Sequence, residues 1–268
     1  MTQDGLDARH DESWAVYLTL SRPEKRNAVD DVLVRALSER LTALAAEAEA
    51  GDANIRCVIL QGAGESFCAG GDLAWMRRLA EADLAANRAD AEALGDLLAT
   101  LAAMPVPTVA LVQGAAIGAG LGLVAACDIA VAADGTRFAM PEARLGLVPG
   151  VIAPVVADAI GLRAARYYSL TGARFDAETA LQLGLVQRVT PAEDLAAAGE
   201  ALRDSLQVGA PGAHAETKAQ FAWLRDADSG RAGAIRDGAG RLAARRASAE
   251  GREGMSAFLE KRNPVWRR

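Results

Sequence analysis

Apolar residues in this chain recur with two different periods, and each change of period marks a switch between strand and helix. Residues 14–20, WAVYLTL, are aromatic and β-branched, which predicts a strand. Residues 21–27 form a charged turn. Over residues 30–50, Val32, Leu33, Leu37, Leu41 and Leu44 fall at helical spacing, with Gly51 placed to stop the helix. Residues 56–60 predict a short buried strand. Residues 62–72, GAGESFCAGGD, read as a glycine-rich loop whose last residue, Asp72, suits the cap of a following helix. A long helix is expected over residues 84–103, ended by Pro105 and Pro107 before a strand at 108–112. A second glycine-rich run, residues 114–122, leads to strands at 128–132 and 138–140 and a turn-rich segment at 141–150. Helical patterns at 152–160, 162–170 and 177–183, a strand at 185–189 and a helical tail from about Ala192 complete the chain. Short strands alternating with helices predict an α/β core of parallel strands with a helical appendage or oligomer contact behind it.

Charge and cysteine content narrow the partners. The 29 basic residues are outnumbered by 35 acidic ones, giving a net charge of −6. Such a chain has no long-range attraction for nucleic acid or anionic membrane. Arg241, Arg245 and Arg246 read as a solvated helix face. Cys57, Cys68 and Cys127 form no C-x-x-C pair, which argues against a zinc site or a disulfide framework and for a reducing, cytoplasmic setting. The polar, acidic start is unlike a signal or transit peptide. Residues 106–133 are weakly polar, but Gln113, Asp128 and several glycines interrupt them, so they read as core rather than a membrane span.

The common catalytic motifs are absent. No G-x-x-x-x-G-K-[ST] phosphate loop and no G-x-S-x-G elbow occurs. The G-x-G starts at Gly62 and Gly118 meet Phe67 and Leu123 where a dinucleotide fingerprint needs glycine. His10 and His214, the two histidines, sit in no nucleophile or metal pattern. What remains is two glycine-rich turns and a carboxylate. Small residues let backbone N–H groups approach a ligand. Two such turns could aim two donors at one carbonyl oxygen, an oxyanion hole worth roughly 3 kcal/mol per donor. Taken singly, each turn fits plain strand-to-helix packing better. Glu142 has Phe138, Ala139, Met140, Leu145 and Leu147 around it in sequence, and a carboxyl in apolar surroundings suits proton transfer near neutral pH. By position alone it reads as a surface-turn glutamate.

The ordered set of motifs decides between these readings. The segments FCAGGDL (67–73), GAAIGAG (114–120), CDI (127–129) and PEARLGLVP (141–149) resemble the enoyl-CoA hydratase/isomerase (crotonase) superfamily in order and spacing. SRPEKRNA (21–28) resembles its opening turn, and LTG (170–172) and ALQLGLV (180–186) its later helix and strand. The resemblance implies an α/β spiral of ββα units over residues 1–205 and a helical oligomerisation region over 206–268, forming trimers or hexamers. It implies an acyl-CoA thioester as substrate, with coenzyme A part of that substrate and neither cofactor nor metal added. It assigns the oxyanion donors to the backbone N–H groups of Gly71 and Ala119 and the acid–base role to Glu142. Lys25, Asn27, Ala28, Ala69, Gly71, Asp72, Leu73 and Gly122 would line the substrate channel, with Arg26 as a further neighbour of the phosphates or pantetheine. Two departures stand out. Gly122 occupies the place of a usual first glutamate, and Ala119 replaces a usual glycine. The missing glutamate at Gly122, the altered run VIAPVV (151–156), the segment FCAGGDLAWM (67–76) and the ending FLEKRNPVW (258–266) look like the bacterial branch that hydrates methylglutaconyl-CoA and isohexenylglutaconyl-CoA. Such acyl groups end in a second carboxylate, for which Arg77, Arg78, Arg144 and Arg163 are candidates. A lone carboxylate also suits double-bond isomerisation, and a non-catalytic acyl-CoA binder is the remaining alternative. Asp128 and Asp158 read as capping or surface residues rather than helpers.

Overall fold

Strands with apolar side chains on both faces require a sheet that is covered on both sides. In the computed structural model, which describes residues 4–50 and 55–267, the alternation divides the long strands as that rule demands. Val16, Leu18, Val58, Leu60, Ala110 and Val112 enter the larger core, while Ala15, Tyr17, Cys57, Ile59, Val109 and Leu111 enter a smaller one. Among the described residues the strands form two sheets. The first runs in the order β1 (Leu6–His10), β2 (Ala15–Leu20), β3 (Cys57–Gly62), β4 (Thr108–Val112), β6 (Ile129–Ala133), β9 (Arg188–Thr190). The second holds β5 (Ala115–Ile117), β7 (Arg137–Ala139) and β8 (Arg174–Asp176). Pairing is antiparallel only at β1/β2 and β7/β8. Elsewhere it is parallel, in registers such as Ala15 opposite Cys57 and Val58 opposite Thr108.

Helices close both faces. α1 (Asp31–Glu49) buries Leu33, Leu37, Leu41 and Leu44, and Asp30 caps it by accepting the Leu33 N–H at 3.0 Å. Val32 falls off that stripe and is exposed. The stop expected at Gly51 lies outside the described residues. α2 (Leu73–Glu81), α3 (Leu84–Ala102), α4 (Ala119–Ala126), α5 (Ala153–Thr171) and α6 (Ala177–Leu183) follow. α5 is two helices meeting at Gly161, whose φ of 78° and ψ of 150° break the spiral where the apolar pattern is interrupted. α7 (Leu195–Val208) covers the smaller core through Leu195 and Ala198.

The structure adds three strands to the expected set, β1, β5 and β8, and moves another; β5 lies inside the second glycine-rich run, whose composition hides it. β1 has only Leu6 buried and pairs at the sheet edge, so its polar composition hides it. β8 is three residues whose Phe175 stacks on Phe138 at 5.4 Å. Leu185 and Val186 belong to a buried turn bonded back to the Ala180 carbonyl, and the last strand begins only at Arg188.

The tail is α8 (Pro211–Asp226), α9 (Gly230–Ala247) and α10 (Ala249–Leu259). α8 and α9 bury no residue. The Asp128 carboxylate ties α8 to the core. It accepts from Thr108 N at 2.7 Å and Thr108 Oγ1 at 2.8 Å, and it pairs with Lys218 of α8. Among the described residues no helix is long and apolar enough to cross a membrane.

Candidate active site

Two parallel pairings deliver three chain segments to one place. β5 and β7 run side by side with Ile117 opposite Ala139. The next residues, Gly118–Ala119 and Pro141–Glu142, therefore emerge together, and Gly118 N donates to Ala139 O at 3.0 Å. On the other side of β5, Cys68 bridges Ala116, with Cys68 N donating to Ala115 O at 2.9 Å and Ile117 N to Cys68 O at 3.0 Å. That bridge brings Gly70–Gly71 to the same end. Ligand sites of parallel sheets gather where strands end in this way.

Glycines permit the close approach. A Cβ on Gly120 would stand 2.6 Å from Cys68 O, and one on Gly70 would stand 3.3 Å from Ile117 O. The two loops interlock through these bare positions, both buried, while Gly71 and Ala119 remain partly open. The Val29 strand bond uses Gly70 O and Asp72 N, and the Gly71 N–H has no acceptor among the described residues. Ala119 is the first residue of α4, where N–H groups have no partner within the helix. Both N–H groups are thus without a protein acceptor among the described residues, the second at the positive end of a helix, and an oxyanion hole is built from donors of this kind. Met76 Cγ and Sδ lie 3.4 Å from where a Gly71 Cβ would be, which walls the first donor with α2.

Glu142 sits on a 3-10 turn, Glu142–Leu145, closed by Leu147 N donating to Glu142 O at 3.0 Å. Its side chain crosses back over α4, with Oε1 3.1 Å from the place of a Gly118 Cβ. Oε2 is buried and has no hydrogen-bond partner. Burial pushes its carboxyl above the usual carboxylate range, opposed only by its own backbone N–H. A half-buried carboxyl beside a free oxyanion donor can move a proton at the carbon next to a bound carbonyl.

The remaining expected channel residues divide by role. Asn27 is fully buried. Its Nδ2 donates to Ala63 O at 2.8 Å and Ser66 O at 2.7 Å, while its Oδ1 accepts from Arg22 N at 2.8 Å. It holds the opening turn against the glycine loop, and its amide is spent on that task. Asp72 caps α2 by accepting from Ala74 N and Trp75 N and pairs with Lys25 Nζ at 2.9 Å. Lys25 and those N–H groups hold its carboxyl below the usual range. Lys25 and Arg26 are exposed at the rim, Leu73 is exposed on α2, Ala28 is buried, and Ala69 is partly open with its N–H on Arg26 O at 3.0 Å. Gly122 is buried under Ile152 and Leu98, a covering the sequence did not announce.

Of the four arginines considered for a distal carboxylate, two are committed. Arg78 pairs with Asp31, and Arg144 donates to Thr171 O at the end of α5. Arg77 and Arg163 are exposed and have no partner among the described residues. Asp158 pairs with Arg225 at 3.0 Å, and Asp128 serves the core as described. Of the tail arginines, Arg241 pairs with Glu216 and Asp237, each at 2.5 Å, and Arg245 with Glu250. His10 meets Arg40, and His214 packs beside Gly209, both away from the site.

The enoyl-CoA hydratase/isomerase family model matches residues 11–268. The chain is 33% identical over 267 residues to 2,3-dehydroadipyl-CoA hydratase of Escherichia coli, covering 92% of each chain. Among solved structures it is similar to Pseudomonas aeruginosa AtuE, with a TM-score of 0.92 and 38% identity over 98% of this chain and 100% of the other. It is also similar to an enoyl-CoA hydratase of Shewanella pealeana, with a TM-score of 0.90 and 36% identity over 99% of this chain and 100% of the other.

Proposed function

The chain belongs to the enoyl-CoA hydratase/isomerase family, and on that premise we propose that it adds water to an α,β-unsaturated acyl-CoA, the acyl group being a branched glutaconyl. One observation carries the chemistry: the Glu142 carboxyl lies over Gly118, next to the unpaired N–H of Ala119. The thioester oxygen would accept from Gly71 N and Ala119 N. Water bonds to Cβ as one of its protons passes to Glu142, and the π electrons move onto the thioester oxygen as an enolate. When they return, Cα takes a proton from Glu142 and the carboxylate is restored. The step consumes no resident cofactor. Lys25 and Arg26 at the rim suit the phosphates of coenzyme A. Arg77 and Arg163, still uncommitted, suit a second carboxylate. The Escherichia coli relative is itself named for a dehydroadipyl thioester, an acyl group of the dicarboxylic kind.

Exposed Phe221, Ile235, Leu242, Phe258 and Leu259 on the tail helices support a homotrimer or hexamer built through residues 206–268. Three unpaired cysteines support work in the cytoplasm. The single carboxyl favours a second reading, migration of the double bond by the same glutamate, with no water added.

The test is loss of enoyl-thioester absorbance with 3-methylglutaconyl-CoA, with crotonyl-CoA beside it. Glu142→Gln is expected to lower kcat by about 10²-fold or more. Turnover of crotonyl-CoA alone moves the substrate to simple acyl chains. A shifted double bond without hydration selects the isomerase. No reaction with either thioester sinks the reading.

A further inference from the structure

α4 presents bare backbone to the site. Gly122 N donates to Gly118 O at 3.0 Å, so the two glycines share one helical face. Two side chains lie across it. Glu142 Oε1 is 3.1 Å from the place of a Gly118 Cβ, and Ile152 Cγ2 is 2.6 Å from the place of a Gly122 Cβ. Leu98 Cδ1 closes the second spot from α3 at 3.3 Å. Ile152 and Leu98 are 3% and 1% exposed, so that spot is dry. Ile152 is fixed in turn, because its carbonyl accepts from Val156 N at 3.0 Å as α5 begins. One turn along the same face, Glu142 Oε2 is buried with no donor.

We propose that Ile152 is a positioning residue for Glu142: seated over Gly122 with Leu98 behind it, it keeps a second polar group and bulk water off the α4 side of the carboxyl, so one carboxyl carries both proton transfers. This rests on the acyl-CoA reading above and deepens it. No helper can stand on Gly122, because the first carbon of any side chain there would meet Ile152. Among the described residues no neighbouring charge competes. α4 carries no titratable residue, Arg144 on the glutamate's own turn is bound to Thr171 O, Arg137 of β7 donates to Thr136 O, Asp158 of α5 is paired with Arg225, and Asp96 of α3 is exposed.

The test compares Ile152→Val with Ile152→Thr, two side chains of one shape that differ by a hydroxyl. The Glu142 carboxyl is titrated in ligand-free protein by infrared difference spectroscopy, with Glu142→Gln subtracted. The parent and Ile152→Val are expected to share a raised midpoint. Ile152→Thr is expected to titrate about one pH unit lower, with the acid limb of its kcat profile moving by the same amount. Should Ile152→Thr fail to fold, Ile152→Ala opens the same space to water and serves in its place. A polar or opened variant that titrates with the parent overturns the proposal, as does an Ile152→Val midpoint that moves equally far. Because the titration needs no substrate, a protein that hydrates no enoyl thioester overturns the functional reading and leaves this test standing.

Discussion

Replacing Gly118 by alanine perturbs the site in two separable ways. Gly118 has φ 52° and ψ −117°, a conformation open to glycine and closed to other residues. Forcing an L-residue there costs about 1–3 kcal/mol of stability. The backbone cannot turn away to relieve this, since Gly118 N is held on Ala139 O at 3.0 Å. The new Cβ also stands 3.1 Å from Glu142 Oε1, so the carboxyl must retreat by a few tenths of an ångström. A misplacement of about 1 Å at a reacting group costs about 10²-fold, so a fraction of that predicts roughly a tenfold fall in kcat. Gly161→Ala is the control, because Gly161 has φ 78° and ψ 150° but nothing within 4 Å of its would-be Cβ. It carries strain without contact. Urea unfolding and steady-state kinetics on both variants separate the effects. Both are expected to lose stability, and only Gly118→Ala to lose kcat. Equal kcat losses, or a Gly118→Ala enzyme with parental kcat, would refute the placement of Glu142 over Gly118.

Asp72→Ala removes the cap of α2 and is expected to cost about 1 kcal/mol, with Lys25 adding little because its ammonium is half in water. The Asp72 carboxyl is held below its unfolded value, so its contribution is whole above about pH 4 and is lost as pH falls through the lower folded pKa. Urea midpoints of parent and variant should therefore converge only in acid, and convergence on the alkaline side would count against the cap. Burial pushes the thiols of Cys57 and Cys127 up to about 12 and that of Cys68 up to about 11. Alkylation followed by mass spectrometry at pH 8 should label Cys57 and Cys68 only as the chain unfolds, and fast labelling of these two in the native protein would contradict their burial.

Much of this architecture is written in residue periodicity, and where it is not, a physical reason is visible. Leu33, Leu37, Leu41 and Leu44 show α1 because one face of a helix must be apolar. Asp72 shows the start of α2 because its side chain completes the first turn. β1 is illegible because an edge strand with four exposed residues has no apolar rhythm. β8 is illegible because a three-residue strand has one buried position, Phe175. At the site, the glycine runs and Glu142 were visible as residue types, but their meeting was not. It depends on Cys68 pairing with Ala116 and Ile117 with Ala139, contacts between segments far apart in the chain. Ile152 carried no signal, since an isoleucine at the start of an apolar helix reads as ordinary core.

Backbone geometry also explains why alanine serves at position 119. The donor is an N–H, so the side chain matters only through φ. α4 begins at Ala119, which gives it helical φ, and alanine is the residue a helix accepts at least cost. Its neighbour Gly118 has no such freedom, because positive φ and the Glu142 carboxyl meet there. Gly120 has none either, because Cys68 O occupies the space of its Cβ. Within this run, then, the position proposed to supply the oxyanion donor tolerates a side chain, and the positions beside it that let the loops and the carboxyl close together do not.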